Sequence, residues 1–297
     1  MVRRPLLFCW LCFAFACHAA SPFAGRWDFI VTSGPESYPG WMEVVEDHGN
    51  ARIRVQPRTG SVVPAGNVRM EGTHLAFSFG REIHWDLDAA AGELSGTQKM
   101  GNRAATLKGV RAPDLRRPAP KSWSAPEPLF DGSNLKGWQP DRPEANHWVA
   151  RDGVLLNEER GSNLRTTRAF DDFKLHIELN CPDGGNSGVY LRGRYEIQVA
   201  YEKGPDAYHS MGSIYGFLKP SVEMPRRPGQ WETLEATLIG RRVTLVRDGV
   251  TILDDQEIPG ITGGALDSNE AAPGPIYIQG DHTGGMKYRN IRISLPN

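Results

Sequence analysis

The chain has 297 residues, more than a single hydrophobic core usually supports, so two folded units are expected. Its 33 glycines and 22 prolines make up about a fifth of the residues, against roughly 12% in average chains, which favours short strands with turns and excludes long helical bundles. The 34 basic and 35 acidic residues give a net charge of −1 without a long block of either sign. This balance excludes the basic surface of a nucleic-acid-binding protein and suits a neutral ligand.

Residues 1–20 have the pattern of an export signal peptide. Arg3 and Arg4 precede an apolar run over residues 6–16, and small residues follow it. The run is too short to cross a bilayer, and no later stretch approaches roughly 20 apolar residues, so no membrane span is predicted. We expect a secreted or periplasmic protein. A lipid anchor at Cys17 is the alternative that the sequence leaves open.

Residues 22–111 are predicted to form a small antiparallel β-barrel. Short alternating segments are separated by turn residues, and closing such a sheet on itself removes exposed strand edges. The predicted strands cover residues 41–45, 51–55, 68–70, 75–79, 83–87 and 105–110. The opening Gly25-Arg26-Trp27 resembles that of lipocalin-like and avidin-like barrels, in which Trp27 would either plug one end or border a ligand cavity. No chemistry is assigned to this unit.

Residues 112–128 contain five prolines and no hydrophobic alternation, which predicts an extended, semi-rigid linker. The second unit, 129–297, is again rich in strands. Residues 173–180 alternate cleanly between apolar and polar side chains, as a half-buried strand requires, and Asp248-Gly249 is a strong hairpin signal. No segment of this unit has a sustained helical period, so a two-sheet sandwich is predicted.

Polar side chains alternate with aliphatic ones over residues 186–199. A hairpin with a three-residue loop would set Arg192 opposite Glu196 and Tyr190 opposite Gln198. A two-residue loop would instead force the Glu196 carboxylate into the apolar face, at a cost of several kcal/mol. The predicted polar stripe on the exposed face suits a hydroxyl-rich ligand such as a sugar. The alternative is a solvated cross-strand salt bridge that contributes little.

Two further residues extend this candidate site. Gln279 has matching parity on a later strand, and His282 lies on the glycine-rich loop that follows it, where it is well placed for acid–base chemistry. No cofactor is predicted, because the chain lacks nucleotide-binding, zinc-protease and nucleophile-elbow motifs. No metal site is predicted either, since Glu196 and His282 match no established ligand spacing. Without the signal peptide, Cys181 is the single cysteine, which excludes an intramolecular disulfide.

Six segments of the second unit, in order, resemble the 3-keto-disaccharide hydrolase domain family. They are LFDGSNLKGW at 129–138, GGNSGVYLR at 184–192, YEIQV at 195–199, GSIY at 212–215, GPIYIQ at 274–279 and YRNIRI at 288–293. The resemblance implies a concanavalin-A-like jelly-roll sandwich, bacterial export and action on glycosides oxidised at C3 of the sugar. Two positions depart from the family pattern: Tyr201 replaces an aspartate, and Glu232 replaces an asparagine.

The resemblance also implies a mechanism that needs only one catalytic carboxylate. A C3 ketone acidifies the C2 proton, so a single base can start an elimination that hydration then completes. Glu196 is the candidate base, and His282 or Tyr215 is the candidate proton donor. Arg192, Gln198, Gln279 and Tyr190 are expected to bind the substrate, and His209 is a reserve candidate for either proton transfer.

Two other readings of the same residues remain. The sheet face of a non-catalytic carbohydrate-binding protein would bind unmodified glycan, with Tyr190, Tyr277 and Trp231 as stacking surfaces. An interaction scaffold is the third reading, although no protein partner is predicted from the sequence.

Overall fold

The structure, a computed structural model, describes residues 21–47, 50–202 and 206–297. These residues form two β-sheet units, which confirms the predicted all-β class with a small barrel followed by a β-sandwich. Helical structure in the described ranges consists of two three-residue 3₁₀ turns, Pro143–Ala145 and Ala207–His209, and none of it is long and apolar enough to cross a bilayer. The predicted export signal lies outside the described residues.

The first unit is a nine-stranded antiparallel sheet that nearly closes on itself. Its two edge strands are joined through Ala65, whose backbone N–H bonds the Ile53 carbonyl. The strands are β1 (Gly25–Ser33), β2 (Glu36–Asp47), β3 (Asn50–Gln56), β4 (Val63–Pro64), β5 (Gly66–Glu71), β6 (His74–Phe79), β7 (Ile83–Ala90), β8 (Glu93–Met100) and β9 (Arg103–Arg111), in the spatial order β4-β3-β2-β1-β9-β8-β7-β6-β5.

Alternate residues of these strands point into the barrel and pack against one another. Trp85 lies at the centre and packs on Phe29 and Phe77, with ring centroids 4.7 and 5.7 Å away. Trp27 is buried at one end beneath the Arg111 guanidinium, 3.9 Å from its ring centroid. A cavity of about 650 Å³, lined in part by Tyr38, occupies the other end.

The second unit consists of two antiparallel sheets. The larger sheet contains β10 (Glu127–Pro128), β12 (Trp148–Arg151), β13 (Val154–Asn157), β15 (Phe173–Asn180), β18 (Trp231–Ile239), β19 (Arg242–Arg247), β20 (Val250–Glu257) and β22 (Met286–Ser294), in the order β12-β13-β22-β15-β18-β19-β20 with β10 beside β22. The smaller sheet contains β11 (Trp138–Pro140), β14 (Leu164–Thr166), β16 (Asn186–Leu191), β17 (Tyr195–Ala200) and β21 (Tyr277–Ile278), in the order β11-β14-β21-β16-β17.

The sandwich core forms where the apolar faces of these two sheets meet. On β15, Phe173 and Leu175 are buried with every second residue after them, as the alternation predicts. The Asp248-Gly249 hairpin is also confirmed: both residues have positive φ and they join β19 to β20. Such turns match the right-handed twist of the strands that they connect.

The segment between the two units lies against the sandwich. Leu115 is buried, and the Ser124 backbone N–H donates to the Leu295 carbonyl at 2.8 Å. The barrel also contacts the sandwich directly, because Trp41 of β2 points outward and joins the sandwich core beside Phe217.

Candidate functional site

The outer face of the smaller sheet carries a row of titratable side chains. Backbone pairing places Tyr277 beside Tyr190, Tyr190 beside Glu196, and Glu196 beside Tyr215. Their chain neighbours, such as Ile197 and Ile214, pack into the core, so this row faces the opposite way. Strand alternation therefore brings four titratable groups together across four chain segments.

A second row of polar groups runs next to the first. Gln279 lies beside Gly188, Gly188 beside Gln198, and Gln198 beside Ser213. The Oε1 atoms of both glutamines and the Oγ atom of Ser213 are buried and have no protein hydrogen-bond partner. Buried polar atoms are normally paired, so three unpaired ones in one row indicate a place where a hydroxyl-rich ligand supplies the missing partners.

Gly188 creates the space between the two glutamines. A Cβ at this position would lie 2.2 Å from Glu196 Oε1, so the glutamate carboxyl extends over the glycine. Glycine is therefore required for Glu196 to adopt this orientation in the middle of the polar face.

The structure corrects the predicted hairpin register. Tyr190 pairs with Glu196, and Gly188 pairs with Gln198, which shifts the register by two residues. A two-residue shift keeps each side chain on its face, so Tyr190, Glu196 and Gln198 still share one surface. That surface is buried rather than open: the three residues are between 1% and 4% exposed.

Arg192 does not lie on this face, contrary to its predicted placement. It has φ +53° within the turn, and its guanidinium is fully buried elsewhere. It donates to Asp171 at 3.0 Å, to the Tyr195 hydroxyl at 3.2 Å and to the Gly240 carbonyl at 2.6 Å. With these partners the Arg192 side chain links segments of the sandwich to one another, away from the polar face.

Burial dominates the electrostatics of Glu196. Removal from water is the largest effect and, together with the negative charge of Asp281, outweighs the opposing Tyr190 hydroxyl, so the pKa of the Glu196 carboxyl is raised to about 8. The pKa of the Tyr215 phenol is also raised, first by its own burial and then by the nearby Glu196. A carboxyl group that titrates near pH 8 beside polar atoms without protein partners is typical of acid–base catalysis.

One loop of the sandwich holds Glu196 and Tyr190 from the side. The Thr262 hydroxyl accepts the backbone N–H of Glu196 at 3.0 Å, and the Gly263 carbonyl accepts the Tyr190 hydroxyl at 2.9 Å. This loop is more than sixty residues away in the sequence and carries no recognisable motif, so sequence reasoning missed it.

The far end of the face is organised by Asn163, which the sequence did not identify. Its amide donates to the Tyr277 hydroxyl at 2.6 Å, and its carbonyl oxygen accepts the backbone N–H groups of Gly280 and Asp281 at 2.7 and 3.1 Å. The carboxyl group of Asp281 also bonds His282 Nδ1 at 2.8 Å. Although burial opposes it, the hydrogen bond from His282 holds the pKa of Asp281 below its usual range. His282 thus contacts the site through Asp281.

His209 lies at the opposite end of the row. Its ring packs edge-on against Tyr215 with centroids 4.8 Å apart, and its Nδ1 is 2.7 Å from Asp206 Oδ1. The structure therefore brings His209 to Tyr215, the predicted proton donor, and pairs it with a carboxylate.

The two positions that depart from the family pattern contact each other. The Tyr201 hydroxyl bonds Glu232 Oε2 at 2.5 Å, and Arg247 donates to both residues. The side chains of Glu232 and Arg247 are almost fully buried, at 1% and 4% exposure. The departures are thus two parts of one buried network, on the core side of β17 rather than on the polar face. A cavity of about 460 Å³ adjoins Tyr201 and Arg247 but is not lined by Glu196.

Within the described ranges, no three His, Cys, Asp or Glu side chains are arranged to hold a metal ion. The buried Cys181 is a free thiol whose pKa burial raises to about 12, so it is not a reactive group.

Residues 125–294 match the model of a protein family described as a 3-keto-alpha-glucoside-1,2-lyase-like domain. The chain is also similar to a solved candidate glycosyl hydrolase of Parabacteroides distasonis, with 27% identity, coverage of 61% of this chain and 93% of that chain, and a TM-score of 0.49. Another candidate glycosyl hydrolase of that organism has 24% identity, coverage of 58% of this chain and 98% of that chain, and a TM-score of 0.44. A carbohydrate-binding module of Bacillus subtilis has 12% identity, coverage of 52% of this chain and 93% of that chain, and a TM-score of 0.34. No curated protein matches the chain.

Proposed function

Because the chain belongs to the 3-keto-alpha-glucoside-1,2-lyase-like domain family, we propose that it is an enzyme that cleaves glycosides whose sugar carries a ketone at C3. The observation that carries this proposal is Glu196. It is a buried carboxyl group with a pKa near 8, surrounded by hydrogen-bonding groups that lack protein partners.

The proposed reaction begins at C2 of the sugar. The C3 ketone stabilises the carbanion or enolate that forms when Glu196 takes the C2 proton, because the charge spreads onto the ketone oxygen. The electron pair then forms the C1–C2 double bond, the C1–O bond breaks, and the departing oxygen receives a proton. Addition of water across the double bond restores a 3-keto sugar, so the net reaction is hydrolysis.

The neighbouring groups have separate roles in this proposal. Tyr215, adjacent to Glu196, is the preferred proton donor to the departing oxygen, and His209 orients its ring. His282 is the alternative donor. The amides of Gln198 and Gln279 bind sugar hydroxyls and donate to the ketone oxygen, where charge develops.

Export remains part of the proposal. The basic start and apolar run within residues 1–20 support action outside the cytoplasm, on glycosides that another enzyme has oxidised.

A binding module that stacks a flat sugar on exposed rings is less well supported. Tyr190 and Tyr277 are 1% and 4% exposed and pack edge to face on each other, 5.0 Å apart. The Arg289 guanidinium lies 4.0 Å from the centroid of Trp231. The rings of Tyr190 and Tyr277 therefore offer no free flat surface, and one face of the Trp231 ring is covered.

The proposal is tested by incubating the purified protein with a 3-keto disaccharide and with its unoxidised parent, and following release of the reducing sugar. We expect turnover of the keto form alone, and loss of at least 1,000-fold in kcat for Glu196→Gln. Glu235→Gln, at an exposed glutamate, is the matched control and should retain full activity. Binding of the parent sugar without turnover of either compound would instead support a carbohydrate-binding protein.

A further inference from the structure

The barrel presents a defined patch to the sandwich, which we call the barrel clamp. It consists of Trp41, Gln56, Gly60 and Ser61. Trp41 is fully buried although it points out of the barrel, because its indole is covered by two loops of the sandwich. Both loops border Glu196.

The first of these loops carries Tyr215. Phe217 packs edge-on against the Trp41 ring with centroids 5.3 Å apart. Gly216, which lies between Tyr215 and Phe217 in the chain, has φ +74°, and a Cβ at this position would lie 2.3 Å from Ser61 Oγ. The backbone that follows Tyr215 therefore rests directly on the barrel.

The second loop carries the acceptors for Glu196 and Tyr190. A Cβ at Gly260 would lie 2.1 Å from Trp41 Nε1, and one at Gly263 would lie 2.1 Å from the Gly60 carbonyl oxygen. The backbone N–H of Gly264 also donates to the Arg58 carbonyl at 3.1 Å. The stretch that contains Thr262 and Gly263 is thus held on the barrel from both ends.

We propose that the barrel clamp is a positioning element of the active site, and that Trp41 and Ser61 are positioning residues which fix Tyr215 and Glu196 in their reactive geometry. The inference rests on the proposed function and assigns a role to the N-terminal unit. Loops fixed only at their ends move on nanosecond to microsecond timescales, and a misplacement of about 1 Å can cost on the order of 100-fold in rate. The clamp supplies the packing that the two loops require.

The first test replaces Ser61 in the full-length protein. Ser61→Leu places a branched side chain where Gly216 lies in contact, so we expect kcat for the 3-keto disaccharide to fall about 10- to 100-fold with KM changed less than about 3-fold. Ser61→Ala removes only the hydroxyl and leaves the space free, so its kcat should fall much less than that of Ser61→Leu. Equal activity of the two variants would overturn the proposal.

The second test uses Trp41→Ala, with Trp41→Phe as the conservative variant and Trp85→Phe as the control inside the barrel. Loss of the indole removes the packing of the two loops that border Glu196. Water should then reach the carboxyl through the loosened loops, so the midpoint of the pH profile of kcat/KM should move below 8, while Trp41→Phe should reverse most of this shift. Tyr190, Tyr215 and Asp281, the other titratable groups around Glu196, are unchanged in all these variants. A midpoint that does not move in Trp41→Ala would contradict the proposal.

Hydrogen exchange separates failure of this inference from failure of the proposed function. If the wild type turns over no keto sugar, the enzymatic proposal fails, but exchange still reports on the clamp. In Ser61→Leu, the backbone amides of residues 212–218 should exchange at least 10-fold faster than in Ser61→Ala. Unchanged exchange in this segment would refute the clamp independently of activity.

Discussion

At the scale of single residues, the carboxyl group of Glu196 combines two properties that removal of a C2 proton requires. Burial makes it a stronger base than an exposed glutamate, and the absence of a Cβ at Gly188 leaves room for it over the centre of the polar face. Burial without a neighbouring cation is costly, and under the proposed function it yields a base strong enough to take the C2 proton.

The pH dependence of kcat/KM follows from this environment. Glu196 acts as a base only when ionised, so kcat/KM should rise with pH and level off above about 8. Steady-state kinetics between pH 6 and 9.5 measures this. A rate that falls through pH 8 would instead assign Glu196 as the proton donor.

Gly188→Ala should remove activity without changing Glu196 itself. The added methyl group would lie 2.2 Å from the carboxyl oxygen, so the Glu196 side chain must rotate away, and we expect kcat to fall about 100-fold. Kinetics and thermal unfolding of the purified variant measure the effect. Wild-type kcat in this variant would show that the carboxyl position is not critical.

Two buried serines form a matched pair for testing the unpaired polar row. Ser213 has no hydrogen-bond partner, so Ser213→Ala should raise the free energy of unfolding by about 1 kcal/mol and raise KM. Ser187 bonds the Gln279 carbonyl and the Tyr288 hydroxyl, both at 2.7 Å, so Ser187→Ala should lower it by about 1–2 kcal/mol. Denaturant titration of the two variants measures whether each substitution raises or lowers the free energy of unfolding. Equal destabilisation by both would mean that Ser213 is not reserved for a ligand.

At the scale of elements, the alternation of side chains could be predicted from the sequence wherever one strand face is buried. This applied to β15 and to the shared face of Tyr190, Glu196 and Gln198. The predicted register was wrong because the turn begins one residue earlier, with Arg192 at φ +53° inside it. The Arg192 guanidinium then bonds Asp171 and Gly240, which come from distant segments. The strand β8 was missed because its sequence, ELSGTQKM, is mostly polar.

The same limit applies to the groups that support the site. Asn163, Thr262 and Gly263 act through hydrogen bonds between residues far apart in the sequence, and no local residue spacing indicates them. Asp281 was adjacent to the predicted His282 and could have been identified as its partner. Sequence periodicity specifies faces, whereas loop contacts across the fold depend on tertiary packing.

The Tyr201–Glu232–Arg247 network ties the residue that follows β17 to β18 and β19, which gives it a testable energetic role. Glu232→Ala leaves the buried Arg247 without its carboxylate, so we expect a loss of about 3–5 kcal/mol in the free energy of unfolding. The exposed Glu235→Ala is the control and should change it by less than about 0.5 kcal/mol. A small effect of Glu232→Ala would mean that the network is dispensable.

At the scale of the whole molecule, the barrel and the sandwich share a buried acidic pair. Asp28 of the barrel lies within hydrogen-bonding reach of Glu270, which accepts from Tyr195 at 2.7 Å and from Arg241 at 3.0 Å. Burial first, and then the charge of Glu270, raise the pKa of Asp28 to about 9. The contact between the two units therefore holds Asp28 in its protonated form at neutral pH.

This pair predicts how stability depends on pH. The folded state binds the Asp28 proton more tightly than the unfolded state does, so its stabilising contribution is complete below the unfolded pKa near 3.8 and declines as pH rises, until it is lost above about 9. Thermal unfolding between pH 6 and 9.5 should show a falling Tm, with a shallower slope in Asp28→Asn. The fall of Tm with pH that remains in Asp28→Asn is assigned to Glu196, whose pKa is also raised, to about 8. Identical slopes in the two proteins would contradict this assignment.

The central claim is that cleavage proceeds by loss of the C2 proton, and the reaction run in D₂O tests it most directly. Elimination followed by hydration must place solvent hydrogen at C2, so the released 3-keto sugar should carry one deuterium there, as read by NMR at early times. The same sugar incubated without enzyme corrects for spontaneous exchange. A cleaved product that retains its original C2 hydrogen would contradict the mechanism and point to direct hydrolysis at C1.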